Sequence, residues 1–165
     1  MPIPTEVTIR RARLDDHAQA CRLLDSLDEL HRAGAPWMFK EPSAQPRPRS
    51  SFADLLNSDD SAVFVADAGQ LVGVAYGFMR AAPDFPVFVR QRWGVLDGIV
   101  VDPAWRRRGI GKLLTHAIEA WALDLGARWV ELNVYEFNRD ARDFYESLGY
   151  LPVSTKLRKP GPDGA

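Results

Sequence analysis

Trp105-Arg106-Arg107-Arg108-Gly109-Ile110-Gly111-Lys112 stands between an apolar run, Val95–Val101, and a stripe at helical spacing made of Ile110, Leu113, Leu114, Ala117, Ile118, Trp121 and Leu125. A glycine weakens a helix by about 1 kcal/mol relative to alanine, so two of them at a helix start need a reason. The first N–H groups of a helix have no intrahelical partner and together carry about half a positive charge. Glycines there let a phosphate approach with no Cβ in the way. Arg106, Arg107, Arg108 and Lys112 add mobile positive charge around the same point. The expected ligand is a di- or polyphosphate. The plainer alternative is a tight helix start whose arginines form a solvated face. The lysine-containing P-loop needs four residues between its glycines, and the dinucleotide fingerprint needs a third glycine where Leu114 stands, so neither applies.

Outward from this stretch, the pattern predicts an alternation of strands and helices. Glu6–Arg11 alternates as a strand, and Leu14 to about Arg32 has a helical face of Ala20, Leu23, Leu24, Leu27 and Leu30, with Asp15 or Asp16 as its cap. Residues 34–50 contain Pro36, Pro42, Pro46 and Pro48, which exclude a long helix or a central strand. A short helix over Ser51–Asn57 follows. Ala62–Asp67 and Leu71–Met79 read as a hairpin closed by Ala68-Gly69-Gln70. Residues 81–94 read as irregular. After the helix Ile110–Leu125, stopped by Gly126, come a strand Trp129–Tyr135 and a helix Asn138–Leu148 capped by Asn138 and ended by Gly149. Tyr150–Leu157 has the pattern of a last strand, and residues 159–165 read as a disordered tail.

At 165 residues the chain suits one domain, here taken as 1–158. The 21 Lys and Arg against 22 Asp and Glu leave a net charge of −1, which gives no global drive toward nucleic acid or an anionic membrane. A single cysteine, Cys21, excludes an internal disulfide and fits a reducing compartment. No run approaches the roughly 20 apolar residues that span a bilayer, and no signal-peptide pattern opens the sequence. A cytoplasmic location is the expectation.

Val101-Asp102-Pro103-Ala104-Trp105-Arg106-Arg107-Arg108-Gly109-Ile110-Gly111-Lys112 resembles the R-x-x-G-x-G/A motif of the GCN5-related N-acetyltransferases. Asn138-Arg139-Asp140-Ala141-Arg142-Asp143-Phe144-Tyr145-Glu146-Ser147-Leu148-Gly149-Tyr150 is similar to that family's second signature, N-x-x-A-x-x-F-Y-x-x-x-G-F/Y. The two motifs stand in the right order, one helix and one strand apart. The resemblance implies an α/β fold with a mixed, mostly antiparallel central sheet, two splayed parallel strands and flanking helices. It implies acetyl-CoA as co-substrate, with the pantetheine arm along Ile99, Val100 and Val101. The pyrophosphate would sit on the amides of Arg107, Arg108, Gly109, Ile110, Gly111 and Lys112, with Arg106 and Asn138 beside it. No metal is implied.

The implied reaction moves an acetyl group to a primary amine of a small molecule or a protein, by direct attack in a ternary complex. An amine with pKa about 10.4 is protonated near neutrality and needs a base. Asp97, a carboxylate in an otherwise apolar strand, is one candidate, and Glu131 on the adjacent strand is another. Either can equally be a salt-bridged or outward-facing carboxylate. Tyr145 occupies the position from which the family commonly serves the leaving thiolate. Trp37 and Phe39, two apart in a proline-rich segment, are expected to share one side of an acceptor wall. A homodimer is compatible with the pattern. The alternatives are an acyl-CoA-binding sensor without catalysis and a nucleic-acid module built on the arginines, the latter disfavoured by the charge balance.

Overall fold

The computed structural model describes residues 6–161. The chain runs β1 (Thr8–Arg11), α1 (His17–Gly34), α2 (Arg49–Asn57), β2 (Ser61–Asp67), β3 (Leu71–Ala81), β4 (Arg92–Val101), α3 (Ile110–Asp124), β5 (Val130–Glu131) and α4 (Arg139–Ser147). Short 3-10 turns precede α1 and α3. The strands lie in one sheet in sequence order, antiparallel from β1 to β4, with β5 parallel to β4. This is the mixed sheet that the sequence implies. The hairpin turn falls where Gly69 adopts φ +86° and donates its N–H to the Asp67 carboxylate at 2.9 Å.

Apolar residues on both faces of the central strands require cover on both sides. On one face α3 packs Ile110, Leu114, Ile118 and Trp121 against Ala62, Ala66, Ala75 and Leu96, and Tyr145 of α4 joins them. On the other face α1 and α2 bring Ala20, Leu23, Leu24 and Phe52 onto Val63, Val65, Val74 and Val100. Leu114 and Ile118 are fully buried. The sheet therefore separates an α3/α4 side from an α1/α2 side.

Three expectations change. Asp16 does not cap α1; its carboxylate accepts two bonds from the Arg10 guanidinium, at 2.8 and 2.9 Å, and one from the Arg13 N–H. Arg10 also grips Asp67, so the ion pair fastens β1 to the entry of α1 and the end of β2. β4 begins at Arg92, which shortens the irregular segment expected over 81–94. The strand expected over Tyr150–Leu157 is not formed: those residues pair with no other strand. Residues 159–161 carry no regular structure, and the remainder of the expected tail lies outside the described residues.

Candidate active site

β4 and β5 pair at only two positions, Gly94 with Val130 and Val95 with Glu131. Beyond them the strands part, so the strand expected over Trp129–Tyr135 contributes only Val130–Glu131 to the sheet. The outer edge of β4 from Leu96 to Val101, including Ile99, Val100 and Val101, faces no strand. Unpaired backbone groups of this kind are a template for another extended chain.

At the fork β4 is irregular. Tyr76 on β3 opposes Gly98 and Gly77 opposes Leu96, so Asp97 has no partner across the ladder. One extra residue on one strand is a β-bulge, and it re-aims a side chain. Asp97 is exposed there, beside the Tyr76 ring. A Cβ at position 98 would lie 2.4 Å from that ring, so only glycine lets the tyrosine lie across the strand. Burial, and next the charge of Asp97, push the Tyr76 phenol up to about 12. Arg47 stands near as a counter-charge, itself held by Asp28 through two bonds of 2.7 and 2.6 Å.

Glu131 lies at the base of the same fork, paired with Val95. Its two carboxylate oxygens accept N–H bonds from Trp93 and Trp129, each at 3.0 Å, and those two indoles stack with centroids 5.5 Å apart. The Asp97 carboxylate, by contrast, is exposed at the bulge. Neither tryptophan was singled out by sequence, because the contact joins strands whose pairing a periodic pattern does not reveal.

On the α3 side, the turn from β4 into α3 is shaped by its own backbone. Asp102 accepts the Ala104 N–H at 2.8 Å, Arg107 adopts φ +61°, and Gly109 takes φ +79°. A Cβ on Gly109 would meet nothing within 4 Å, so the glycine serves the backbone angle and leaves open space in front of the helix. The first helical bond runs from the Leu113 N–H to Gly109 at 3.1 Å, which leaves the N–H groups of Ile110, Gly111 and Lys112 directed at that space. Arg106 and Arg108 fold back onto the carbonyls of Val101 and Ala104. The arrangement can receive an anion on backbone amides.

Tyr145 is buried on α4, edge-on to Phe144 and Tyr150. Burial pushes its phenol up to about 12. Asn138 caps α4 by accepting the Ala141 N–H at 3.2 Å.

The segment that holds Trp37 and Phe39, expected to line an acceptor cleft, is shaped by local bonds. Met38 and Phe39 both donate to the Ala35 carbonyl, so the segment turns and does not extend. Trp37 and Phe39 therefore do not share a side. Phe39 stacks on His31 at 5.2 Å and meets Tyr135 edge-on at 5.9 Å. Trp37 is half exposed, under the guanidinium of Arg158. Burial lowers the His31 pKa from its ordinary value, against the opposing charge of Asp28. His31 and Tyr135 thus join the loop to the far end of the fork, a link that spacing alone could not show.

The acetyltransferase (GNAT) family model matches residues 24–150. The chain belongs to that family. The L-ornithine N5-acetyltransferase NATA1 of Arabidopsis thaliana is 34% identical over 94 residues, which are 57% of this chain and 41% of that protein. This acetyltransferase chain thus spans about two fifths of that relative's length. The uncharacterized N-acetyltransferase YhfO of Bacillus subtilis is 27% identical over 144 residues, covering 87% of this chain and 89% of its own. The crystal structure of a tetramutant of the BH1408 protein of Bacillus halodurans superposes with a TM-score of 0.86 at 25% identity, covering 93% of this chain and 99% of that one. Among the described residues, no helix is long and apolar enough to cross a membrane.

Proposed function

We propose that the protein transfers an acetyl group from acetyl-CoA to a primary amine of a small molecule, by direct attack in a ternary complex. The observation that carries the reading is the parting of β4 and β5 beyond Val95 and Glu131, with the bulged Asp97 at the fork. The open edge of β4 suits the amide-bearing pantetheine arm as an added strand. The N–H groups at the start of α3 suit the pyrophosphate, and the open space before Gly109 supports that fit. Asn138, at the start of α4, is a further contact for the cofactor. What the co-substrate supplies is an acetyl group activated as a thioester.

The chain's own groups do the rest. Asp97, directly or through one water, takes a proton from the incoming ammonium, whose ordinary pKa is about 10.4. An outward N–H of β4 among Ile99–Val101 donates a hydrogen bond to the acetyl oxygen as negative charge grows on it. The C–N bond forms, the nitrogen gives up its second proton to water, the C–S bond breaks, and the sulfur leaves as thiolate. Moving a proton from a phenol at about 12 to a thiolate of ordinary pKa 8.5 is uphill by about 3.5 units, roughly 5 kcal/mol. Tyr145 therefore serves the sulfur by hydrogen bonding while the thiolate takes its proton from solvent.

The acceptor approaches from the α1/α2 side, between the Trp93–Trp129–Glu131 cluster and the His31–Phe39–Tyr135 wall. Asp97 lies two positions along β4 from Val95, the residue paired with Glu131, so two carboxylates stand at this spacing along the fork. That spacing favours an acceptor with a second amino group, in keeping with the ornithine named for the Arabidopsis relative. The test is free-CoA release with acetyl-CoA and matched monoamines and diamines. Amine-dependent release that Asp97→Asn lowers by about 10²- to 10³-fold in kcat/KM supports the reading. Equal rates in wild type and Asp97→Asn would remove the base, and no release with any amine would remove the reaction.

A further inference from the structure

Phe78 of β3 opposes Val95 of β4, and Val95 opposes Glu131 of β5, so the three stand in one row across the sheet. Directly opposed residues point to the same face. That face is the α1/α2 side: Tyr76, two before Phe78, packs with the α1/α2 cluster, and Met79 lies in the α3 core opposite. Arg80, two beyond Phe78, shares the face and opposes Trp93. Phe78, Val95 and Trp93 do not belong to the cluster under α1 and α2, so the helices leave this end of the face uncovered. Phe78 and Arg80 line an open cavity there, about 490 Å³, with Ser51 and Asp54 of α2 across from them.

The Arg80 guanidinium reaches back over the Phe78 ring, 5.3 Å from its centroid, and so toward the row of Val95 and Glu131. Among the described residues its one hydrogen bond is to the Met79 carbonyl, at 3.4 Å, and no carboxylate forms an ion pair with it. The guanidiniums nearby are engaged, Arg47 by Asp28 and Arg92 by Asp60. A guanidinium lying on an aromatic ring keeps its N–H fork for a planar anion such as a carboxylate.

Three charges thus surround Val95: Arg80 on one side, Glu131 on the other, and Asp97 two positions on along β4. Adjacent strands lie about 4.8 Å apart, so these charges frame a space of small-molecule size. We propose that the acceptor carries a carboxylate besides its two amino groups, as an α-amino acid with an amine at the end of its side chain does, and that Arg80 receives this carboxylate. The inference rests on the acceptor reading above and deepens it. With the α-carbon over Val95, the carboxylate lies on Arg80, the α-ammonium faces Glu131, and the side chain runs along β4 to put its amine at Asp97. Opposite charges meet at every corner. A diamine leaves Arg80 unanswered, and a monoamine leaves Glu131 unanswered as well. Arg80 selects the acceptor and takes no part in the transfer.

The test measures free-CoA release with diaminobutyrate, ornithine and lysine, each beside its methyl ester and the diamine of equal length. The ester keeps both amino groups and removes only the negative charge. In wild type, kcat/KM for the best acid is expected to exceed that of its ester at least about tenfold, with the difference in KM. Arg80→Gln is expected to bring this ratio close to one, and Arg80→Lys, which keeps the charge, to retain most of it. A wild type that uses ester or diamine as well as acid overturns the proposal and leaves acetyl transfer to amines standing. An Arg80→Gln variant with the wild-type ratio, or one that loses acid and ester turnover alike, also overturns it. No release from any of these amines removes both the inference and the reading beneath it.

Discussion

Asp97 and Tyr145 show what one residue can and cannot disclose. A carboxylate inside Val95-Leu96-Asp97-Gly98-Ile99 stands out in sequence because burying it unpaired would be costly. The bulge explains how the strand tolerates it, by turning it out of the ladder. Glu131 stands out for the same reason, yet its oxygens are held by two indoles from different strands, which no local pattern foretells. Tyr145 was legible from its motif, but its burial was not, and burial pushes its phenol up to about 12. Tyr145→Phe keeps the edge-on ring contacts and removes only the hydroxyl. We expect unchanged thermal stability and a kcat about 10- to 100-fold lower, read by steady-state CoA release. An unchanged kcat in the folded variant would leave the thiolate to water.

Elements were legible in proportion to how local their causes are. α3 and α4 were readable because their stripes, caps and terminal glycines lie within one stretch. The lengths of β4 and β5 were not, because pairing partners and the parting of the strands are set by the sheet. The Gly34–Ser50 segment reads in sequence as an ordered loop with room for one helical turn, and the bonds of Met38 and Phe39 to Ala35 form such a turn. The Tyr76/Gly98 crossing gives a test at this scale. In Gly98→Ala the new methyl would stand 2.4 Å from the tyrosine ring, so the ring must move off the strand. We expect a loss of about 1–3 kcal/mol by urea unfolding, typical of overpacking, together with a fall in kcat/KM as the bulge shifts. Full stability with full activity in Gly98→Ala would show that the bulge does not depend on this contact.

For the whole molecule, the element order as far as α4 and the fold class were readable, because they follow from apolar period and motif order. The Arg10 link was not, since it joins Asp16 and Asp67 from distant segments. Hydrogen bonding to Arg10 holds the Asp16 carboxyl below the usual carboxylate range. A carboxyl with a depressed folded pKa contributes stability above its unfolded value near 3.9, and that contribution is lost as pH falls through the folded pKa. Asp16→Asn is therefore expected to be less stable than wild type at pH 7, with the difference shrinking in acid, as read by urea melts from pH 7 to pH 3. A difference independent of pH would mean that the ion pair contributes no charge-dependent stability.

The central claim is that the turn at Gly109 and the open edge of β4 together receive acetyl-CoA. Isothermal titration of acetyl-CoA into wild type and Gly109→Asp, each confirmed folded, tests it most directly. The new carboxylate would project into the open space before α3, where the proposed function puts the pyrophosphate. The account predicts saturable binding with one site per chain in wild type, and affinity at least about tenfold weaker in the variant, a change of roughly 1.4 kcal/mol. No binding to wild type, or equal affinity in both proteins, would contradict it.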